Sequence, residues 1–291
     1  DDVESRGLGD VYKRQLLLLI SVFMIFQTTC KVWGAEKPAN ATQQGIDVSS
    51  HQGKIDWEQV KNSALADYAI IRCGYGVNQT DKDDKYWDYN SSECERLGIP
   101  YGTYLYSGAD TTAKAKSEAE HVVRLLQGKN LTYPIYYDME ADMLNQLSST
   151  QIGNIAKTFL NTMESYGYKN VAVYSNKYLF ETKLTASVFS DYPKWIAQHS
   201  NKCTYQGSYH MWQYSTQGVI PGISEKVDLN YKIGNWTYAG YSSAKKTVVV
   251  KPKATTIKSL RKSGKKAVKI TYKKVSGVSG YQIYMLSLIH I

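Results

Sequence analysis

An α/β fold, an irregular β/α barrel with about eight strands and about five helices, is what this sequence predicts, and three observations predict it. From Gly45 onward, short apolar runs alternate with amphipathic stretches, the pattern of repeated βα units. Eight such apolar runs occur before residue 236. The amphipathic stretches concentrate in the first five units, so the last strands close the sheet with little helical cover. An open doubly wound sheet accounts for the same alternation and is the architectural rival.

The strands are expected at 45–48 (GIDV), 67–73 (DYAIIRC), 101–106 (YGTYLY), 133–139 (YPIYYDM), 171–174 (VAVY), 194–197 (KWIA), 209–213 (YHMWQ) and 226–229 (KVDL). Helices are expected at 55–64, 86–97, 111–127, 149–166 and 176–182. The fourth helix opens with Ser149 as N-cap and closes at Gly167. After Trp236 the character changes: 237–251 reads as a linker and 252–285 as three short strands, ATTIKSL, AVKITYK and GYQIYM. The run KVSGVSGYQIY resembles the first strands of a fibronectin type III module, of which this is an incomplete fragment.

The amino end reads as an export signal. Leu16–Phe26 is an apolar run of 11 residues that follows Lys13 and Arg14 and precedes Gly34 and Ala35, where cleavage suits small residues. A lipid anchor at Cys30 is the lesser alternative, because Gln27-Thr28-Thr29 matches that signal poorly. The stretches at 1–15 and 286–291 (LSLIHI) resemble translated adapter sequence and are set aside, and 36–44 reads as a linker. A secreted chain, retained at the cell wall or free, is the expectation.

Charge is unevenly distributed. The net +9 suggests nucleic acid until it is divided: residues 241–291 hold 12 Lys and Arg and no acid, whereas 45–240 hold 18 bases against 21 acids. The globular part is mildly acidic, so no nucleic-acid partner is expected. The basic segment could attract an anionic cell-wall polymer. No C-x-x-C spacing points to zinc or redox chemistry, and neither a metal nor a cofactor is expected.

The most informative segment is Tyr133-Pro-Ile-Tyr-Tyr-Asp-Met-Glu140. Side chains at i and i+2 of a strand share a face, so Tyr136, Asp138 and Glu140 project together while Ile135, Tyr137 and Met139 face the helices. Active sites of such barrels sit at the carboxyl ends of the strands. Two neighbouring carboxylates repel as anions, so one tends to keep a proton near neutral pH. Glycoside hydrolysis uses that pair, an acid to protonate the leaving oxygen and an anion to support charge at the anomeric carbon. Asp47 ends the first strand and Asp228 lies in the last. In a closed barrel these strands are neighbours, so Asp47, Asp138, Glu140 and Asp228 would ring one cleft.

Gly45-Ile-Asp-Val-Ser-Ser-His-Gln-Gly53, then Ile55-Asp-Trp57, resembles the opening of glycoside hydrolase family 25, the Chalaropsis-type lysozymes. Further matches follow in the family's order: Ile70-Ile-Arg-Cys-Gly-Tyr-Gly76, Gly98–Ser107, Tyr136–Glu140, Val173-Tyr-Ser-Asn176, Trp195-Ile-Ala-Gln198, Trp212-Gln-Tyr-Ser215 and Val227-Asp-Leu-Asn230. The resemblance covers about 45–236. It implies a flattened TIM-like barrel, the catalytic domain of a monomeric muramidase that cleaves the β-1,4 bond between N-acetylmuramic acid and N-acetylglucosamine in peptidoglycan. Glu140 matches the family's general acid/base, Asp138 its partner carboxylate, and Asp47 and Asp228 two further cleft acids. Two residues along a strand separate Cβ atoms by about 6.5 Å, between retaining and inverting spacings, so spacing does not choose the stereochemistry. The substrate's 2-acetamido group can itself attack the anomeric carbon, which favours net retention. A non-catalytic peptidoglycan-binding protein and a chitinase-like acetylhexosaminidase are the rival readings.

Tyr104, Tyr106, Tyr136, Tyr174, Trp195 and Trp212 together resemble the family's sugar-binding wall, against the plainer reading that they fill the barrel. Arg72 shares parity with Tyr68 and Ile70, which points its charge inward, to pair with Asp138 or to meet a substrate carbonyl or carboxylate. Cys73, of opposite parity, faces the helix layer, where Cys94 could meet it. A Cys73–Cys94 disulfide is therefore expected in an exported chain, with Cys203 free.

Overall fold

The structure, a computed structural model, describes residues 35–236, 255–263 and 268–274. Eight strands close into a barrel in chain order: β1 Ala41–Val48, β2 Tyr68–Tyr75, β3 Tyr101–Tyr106, β4 Ile135–Asp138, β5 Val171–Asn176, β6 Lys194–Ala197, β7 Met211–Gly218 and β8 Val227–Ile233. The open-sheet rival is excluded by β8, which pairs antiparallel with both β7 and β1. β1 through β7 run parallel, each to the next. A helix covers each of the first parallel connections: α1 Trp57–Ser63, α2 Trp87–Leu97, α3 Thr112–Leu125, α4 Ser149–Ser165 and α5 Lys177–Thr182, with a further short turn, α6 Val188–Asp191.

Helix starts follow local side-chain chemistry. Asp56 accepts from the Gln59 amide to cap α1, and Thr111 accepts from Lys114 to cap α3. The cap of α4 is Ser148, one residue before the expected Ser149, because only Ser148 has a glutamine at the third helical position. Its hydroxyl takes the Gln151 amide while the Gln151 side chain returns to the Ser148 backbone. β1 likewise begins at Ala41, four residues before the expected 45, since its early residues pair with β8 as far as Ile233. Gly45 gives Tyr68 its place: a Cβ there would sit 2.4 Å from the ring. At Gly222, where φ is +94°, a Cβ would strike the Asp56 carbonyl at 2.3 Å, so the β7–β8 loop packs tightly on the start of α1.

Strand parity divides the core into two layers. Tyr68, Ile70, Tyr136, Ala172, Tyr174, Trp195 and Met211 fill the barrel interior. Ile71, Cys73, Ile135, Tyr137 and Met139 join the apolar faces of the helices outside it. The expected alternation along β4 is therefore the observed one. The expected disulfide is not: Cys73 and Cys94 are both free, buried thiols. Both lie in the outer layer, but the Cys73 sulfur turns along the sheet to the Tyr104 carbonyl, 3.3 Å away, rather than out to the helix. Burial pushes the Cys73 thiol up to about 12.

A buried carboxylate fastens the carboxyl ends of β3 and β4 from behind. Glu118 of α3 accepts from Tyr137 Oη (2.6 Å), Ser107 Oγ (2.9 Å) and the Gly108 amide (2.8 Å). The Ser107 amide in turn donates to the Asp138 carbonyl at 2.9 Å. Burial pushes the Glu118 carboxyl up, and these donors oppose it.

Beyond the barrel, β9 Ile257–Lys262 and β10 Val268–Tyr272 form a two-stranded antiparallel sheet, largely exposed. The third strand expected at 280–285 and the apolar run at 16–26 lie outside the described residues. Among the described residues no helix is long and apolar enough to cross a membrane.

Glu118→Ala removes the acceptor of three buried donors and orphans two of them, since Ser107 Oγ still donates to Tyr137 Oη at 2.9 Å, at about 1–3 kcal/mol each. It should therefore lower unfolding stability by about 3–5 kcal/mol, read as a fall in the urea midpoint at unchanged slope. Glu118→Gln, which keeps an acceptor, should cost clearly less.

Candidate active site

The pairing that closes the barrel sets Asp47 directly opposite Asp228. Across the mouth, Asp138 is the last residue of β4, in register with Tyr106 of β3 and Tyr174 of β5. Glu140 lies just past the strand, yet its backbone is held: the Met139 amide donates to the Tyr174 carbonyl (2.9 Å) and Ser175 Oγ to the Met139 carbonyl (2.6 Å). The chain thus stays extended for two residues beyond Asp138, and Asp138 and Glu140 share a face.

Burial governs the charge state of this group. Asp47, 5% exposed, is driven well above the usual carboxylate range by desolvation and then by Asp228. Its Oδ1 accepts from Asn230 Nδ2 at 2.7 Å and Gln213 Nε2 at 3.0 Å. Asp228 rises to about 6 through burial and the charge of Glu140, while a hydrogen bond from Asp47 pulls it down. The Asp47–Asp228 pair therefore favours holding one proton between its two carboxyls. Asp138, 3% exposed, is raised by burial, by Glu140 and by Asp47, with Arg72 opposing. Its Oδ1 has no hydrogen-bond partner among the described residues. Glu140 is raised by burial and by Asp47, with Tyr174 and His199 opposing. Each acid stands in the field of at least one other, so the four expected acids do meet at one barrel mouth.

Aromatic rings floor and flank the mouth. Trp195 lies under Tyr174 (ring centroids 4.4 Å apart) and edge-on to Tyr104 (6.3 Å), its indole N–H fixed on Asn230 Oδ1 at 2.8 Å. Tyr104 and Tyr106 are partly exposed, and Tyr106 stands in the field of Asp138 and Glu140.

Comparison with known proteins gives the family of this barrel. Residues 46–223 match the sequence model of glycosyl hydrolases family 25. The chain belongs to that family. It is 30% identical over 188 residues to the Autolytic lysozyme of Clostridium acetobutylicum, covering 64% of this chain and 55% of the relative. To Lysozyme M1 of Streptomyces globisporus it is 28% identical over 201 residues, covering 64% and 66%. Among solved structures, the modular autolysin LytC of Streptococcus pneumoniae superposes with a TM-score of 0.60 at 33% identity, covering 65% of this chain and 46% of that one. A family 25 glycosyl hydrolase from Bacillus anthracis shares the fold, with a TM-score of 0.61 at 20% identity over 70% and 95% of the two chains. This chain thus spans about half the length of LytC and of the clostridial relative.

Within this family 25 barrel, three expected site residues make contacts other than those expected of them. Arg72 does not pair with Asp138: its Nε meets Asp84 Oδ2 at 2.8 Å and its Nη2 meets Ser50 Oγ at 2.9 Å. Asp84 folds back from the β2–α2 loop, its amide on the Cys73 carbonyl, and engages the guanidinium directly. Tyr136 faces inward but is fully buried, its hydroxyl 2.9 Å from His210 Nε2, so it fills the barrel beneath Trp195 rather than lining the cleft. Trp212 belongs to the outer layer, its indole N–H on the Gln198 carbonyl, because Met211 and Gln213 take the inward positions of β7. Sequence reasoning missed Gln213, Asn230, Asp84 and His199. Parity held the signal for the first two: Asn230 lies two residues after Asp228, and Gln213 alternates with the outward-facing Trp212 and Tyr214.

A carboxyl raised by folding stabilises the fold while it is protonated, and that stability fades as pH climbs from the unfolded value near 3.9 through the folded range. For Asp228 that range centres on about 6, and the Asp47 carboxyl also lies above its ordinary value. Asp47→Asn keeps an oxygen for Asn230 and Gln213 and replaces the shared proton with an amide hydrogen. At about pH 7.5 it should gain about 1 kcal/mol, or about 2–4 °C in Tm, with the difference vanishing near pH 4. Calorimetry at both pH values checks this, and a pH-independent difference would mean that the pair holds no such proton.

Proposed function

We propose that this family 25 chain is an exported lysozyme, a muramidase that hydrolyses the β-1,4 bond between N-acetylmuramic acid and N-acetylglucosamine in peptidoglycan with net retention. One observation carries the reading: Asp138 is a buried carboxylate with an unpartnered oxygen, beside a Glu140 whose acid form is favoured. A lone buried acceptor is costly unless something supplies a donor. The N–H of a 2-acetamido group is a donor of the right kind. Asp138 accepting that N–H would turn the acetamido oxygen toward the anomeric carbon. That oxygen bonds to the carbon as the glycosidic C–O bond breaks, and the Glu140 proton passes to the departing oxygen. Water then attacks the anomeric carbon from the face that the leaving oxygen vacated, the bond to the acetamido oxygen breaks, a proton returns to Glu140, and the original configuration is restored. Negative charge on the neighbouring Asp47–Asp228 pair helps Glu140 keep its proton.

The relatives support the substrate: two are lysozymes, and LytC has also been solved with a synthetic peptidoglycan ligand. Tyr104, Tyr106 and Tyr174 are the surfaces we assign to the sugar rings, with Trp195, 1% exposed, packed against Tyr104 and Tyr174. Arg72, by its effect on Asp138, tunes the partner carboxylate. The domain is read as a monomer, and the basic stretch from 241 onward, with its fibronectin-like fragment, as the part that holds anionic wall polymer.

Digestion of purified peptidoglycan tests this. Mass spectrometry should find muramic acid at each new reducing end, and NMR should show the β-anomer released first. Glu140→Gln should lower the rate by about 10²–10⁴-fold. Turnover of chitin in place of peptidoglycan, prompt release of the inverted anomer, or a near-normal Glu140→Gln variant would overturn the respective part of the proposal.

A further inference from the structure

One lateral row of residues crosses the barrel mouth and runs on past the acids. Successive strands pair Trp195 with Tyr174, Tyr174 with Asp138, Asp138 with Tyr106, and Tyr106 with Tyr75, from β6 to β2. Residues paired in this way share a face of the sheet. Neighbouring strands stand about 4.8 Å apart, so Tyr75 lies about 10 Å from Asp138 along the row, near the length of a disaccharide in a β-1,4 glycan.

Simple alternation from the inward-facing Arg72 would turn Tyr75 outward. A bulge between Arg72 and Gly74 prevents this. Cys73 and Gly74 both face the helix layer: Cys73 joins the outer core, and a Cβ on Gly74 would sit 2.9 Å from the His121 ring. The extra residue returns Tyr75 to the face of Tyr106. The Gly76 amide then fixes the strand end on the Tyr106 carbonyl at 2.9 Å.

Tyr75 gives little to the core, with 41% of its surface exposed, yet its setting is built. Lys82 Nζ stands over one face of the ring, 5.4 Å from the centroid. The loop that carries Lys82 is pinned to α3. His121 lies 3.0 Å from the Gly76 carbonyl through Nδ1 and 2.7 Å from Asp83 Oδ1 through Nε2. Arg124 donates to Asp83 Oδ2 at 2.9 Å and to Asn78 Oδ1 at 2.8 Å. A lone exposed tyrosine needs none of this. A flat ring braced by a cation and otherwise open suits the apolar face of a pyranose.

We propose that Tyr75, beside Tyr106, is a second glycan-binding platform, one disaccharide along from Asp138, that holds the strand while the acids act. The bulge aims the ring, and the His121–Asp83–Arg124 cluster steadies the loop that braces it. The proposal rests on the reading of the substrate as peptidoglycan and adds a subsite outside the acid ring.

The test is the dependence of KM on chain length, with peptidoglycan strands freed of stem peptides and sorted into defined lengths. In the wild type, KM should fall once the strands are long enough to reach Tyr75. Tyr75→Ala should lose that gain, so that KM rises about 3–10-fold on long strands and less on the shortest strand that is cleaved. Tyr75→Phe should restore the length dependence, because the ring remains and the lost hydroxyl reaches only the Asp81 carbonyl, at 3.4 Å. A wild-type KM indifferent to length, or the same length profile in wild type and Tyr75→Ala, would overturn the proposal. So would a uniform rise at every length, the mark of a structural effect. Tyr75→Leu serves the same comparison if circular dichroism shows the alanine variant unfolded. Cleavage of chitin in place of peptidoglycan would defeat the substrate reading, and the same series in chitin oligosaccharides would then test the platform separately.

Discussion

The antiparallel seam between β1 and β8 is the constraint on which the rest depends. Its register puts Asp47 against Asp228, and the parallel ladders around the barrel then bring β4 to the far side of the same mouth. Side chains alternate along a strand, so a slip of one residue at the seam would send one acid of the pair into the helix layer. The seam is also why the barrel is irregular. Its last strand turns back on β7 without a covering helix, and the β7–β8 loop packs on the start of α1 through Gly222.

Gathering four acids in a desolvated mouth opposes folding, and the structure meets that cost in three ways. Burial and mutual repulsion raise the carboxyls of Asp47, Asp138 and Glu140, which favours fewer charges than acids in the mouth. Neutral amides, Asn230 and Gln213, satisfy carboxylate oxygens without adding charge. The one nearby guanidinium, Arg72, is itself held by Asp84 and Ser50, so it eases Asp138 from a distance without neutralising it. A direct Arg72–Asp138 pair would have quenched the buried carboxylate oxygen that has no partner among the described residues. Strain of this kind is expected where stability is given up for reactivity.

Behind the mouth, rigidity comes from groups that never face it. Glu118 draws Tyr137, Ser107 and Gly108 together, and Ser107 holds the backbone at Asp138. Ser175 and Tyr174 do the same for Met139 and so for Glu140. The stacked Tyr137 and Phe159 rings, 3.8 Å apart, pack this outer layer. Carboxyl groups two residues apart on one strand are therefore fixed through their backbones, with their side chains free for chemistry.

Much of this was written in the sequence. Alternation along Tyr133–Glu140 assigned inward and outward faces that the fold obeys, and the apolar runs located eight strands within a few residues. Such features are local, set by the two-residue period of a strand and by side chains that cap their own helix. Tertiary structure alone decided which groups meet. Parity placed Arg72 inward but could not choose Asp84 over Asp138, brought Cys73 toward the outer layer but not to Cys94, and paired Trp212 with Tyr214 without saying which face they share. The reason is that a strand's period fixes relative faces within a segment. Which face is interior, and which loop folds back to touch it, depends on closure of the whole barrel.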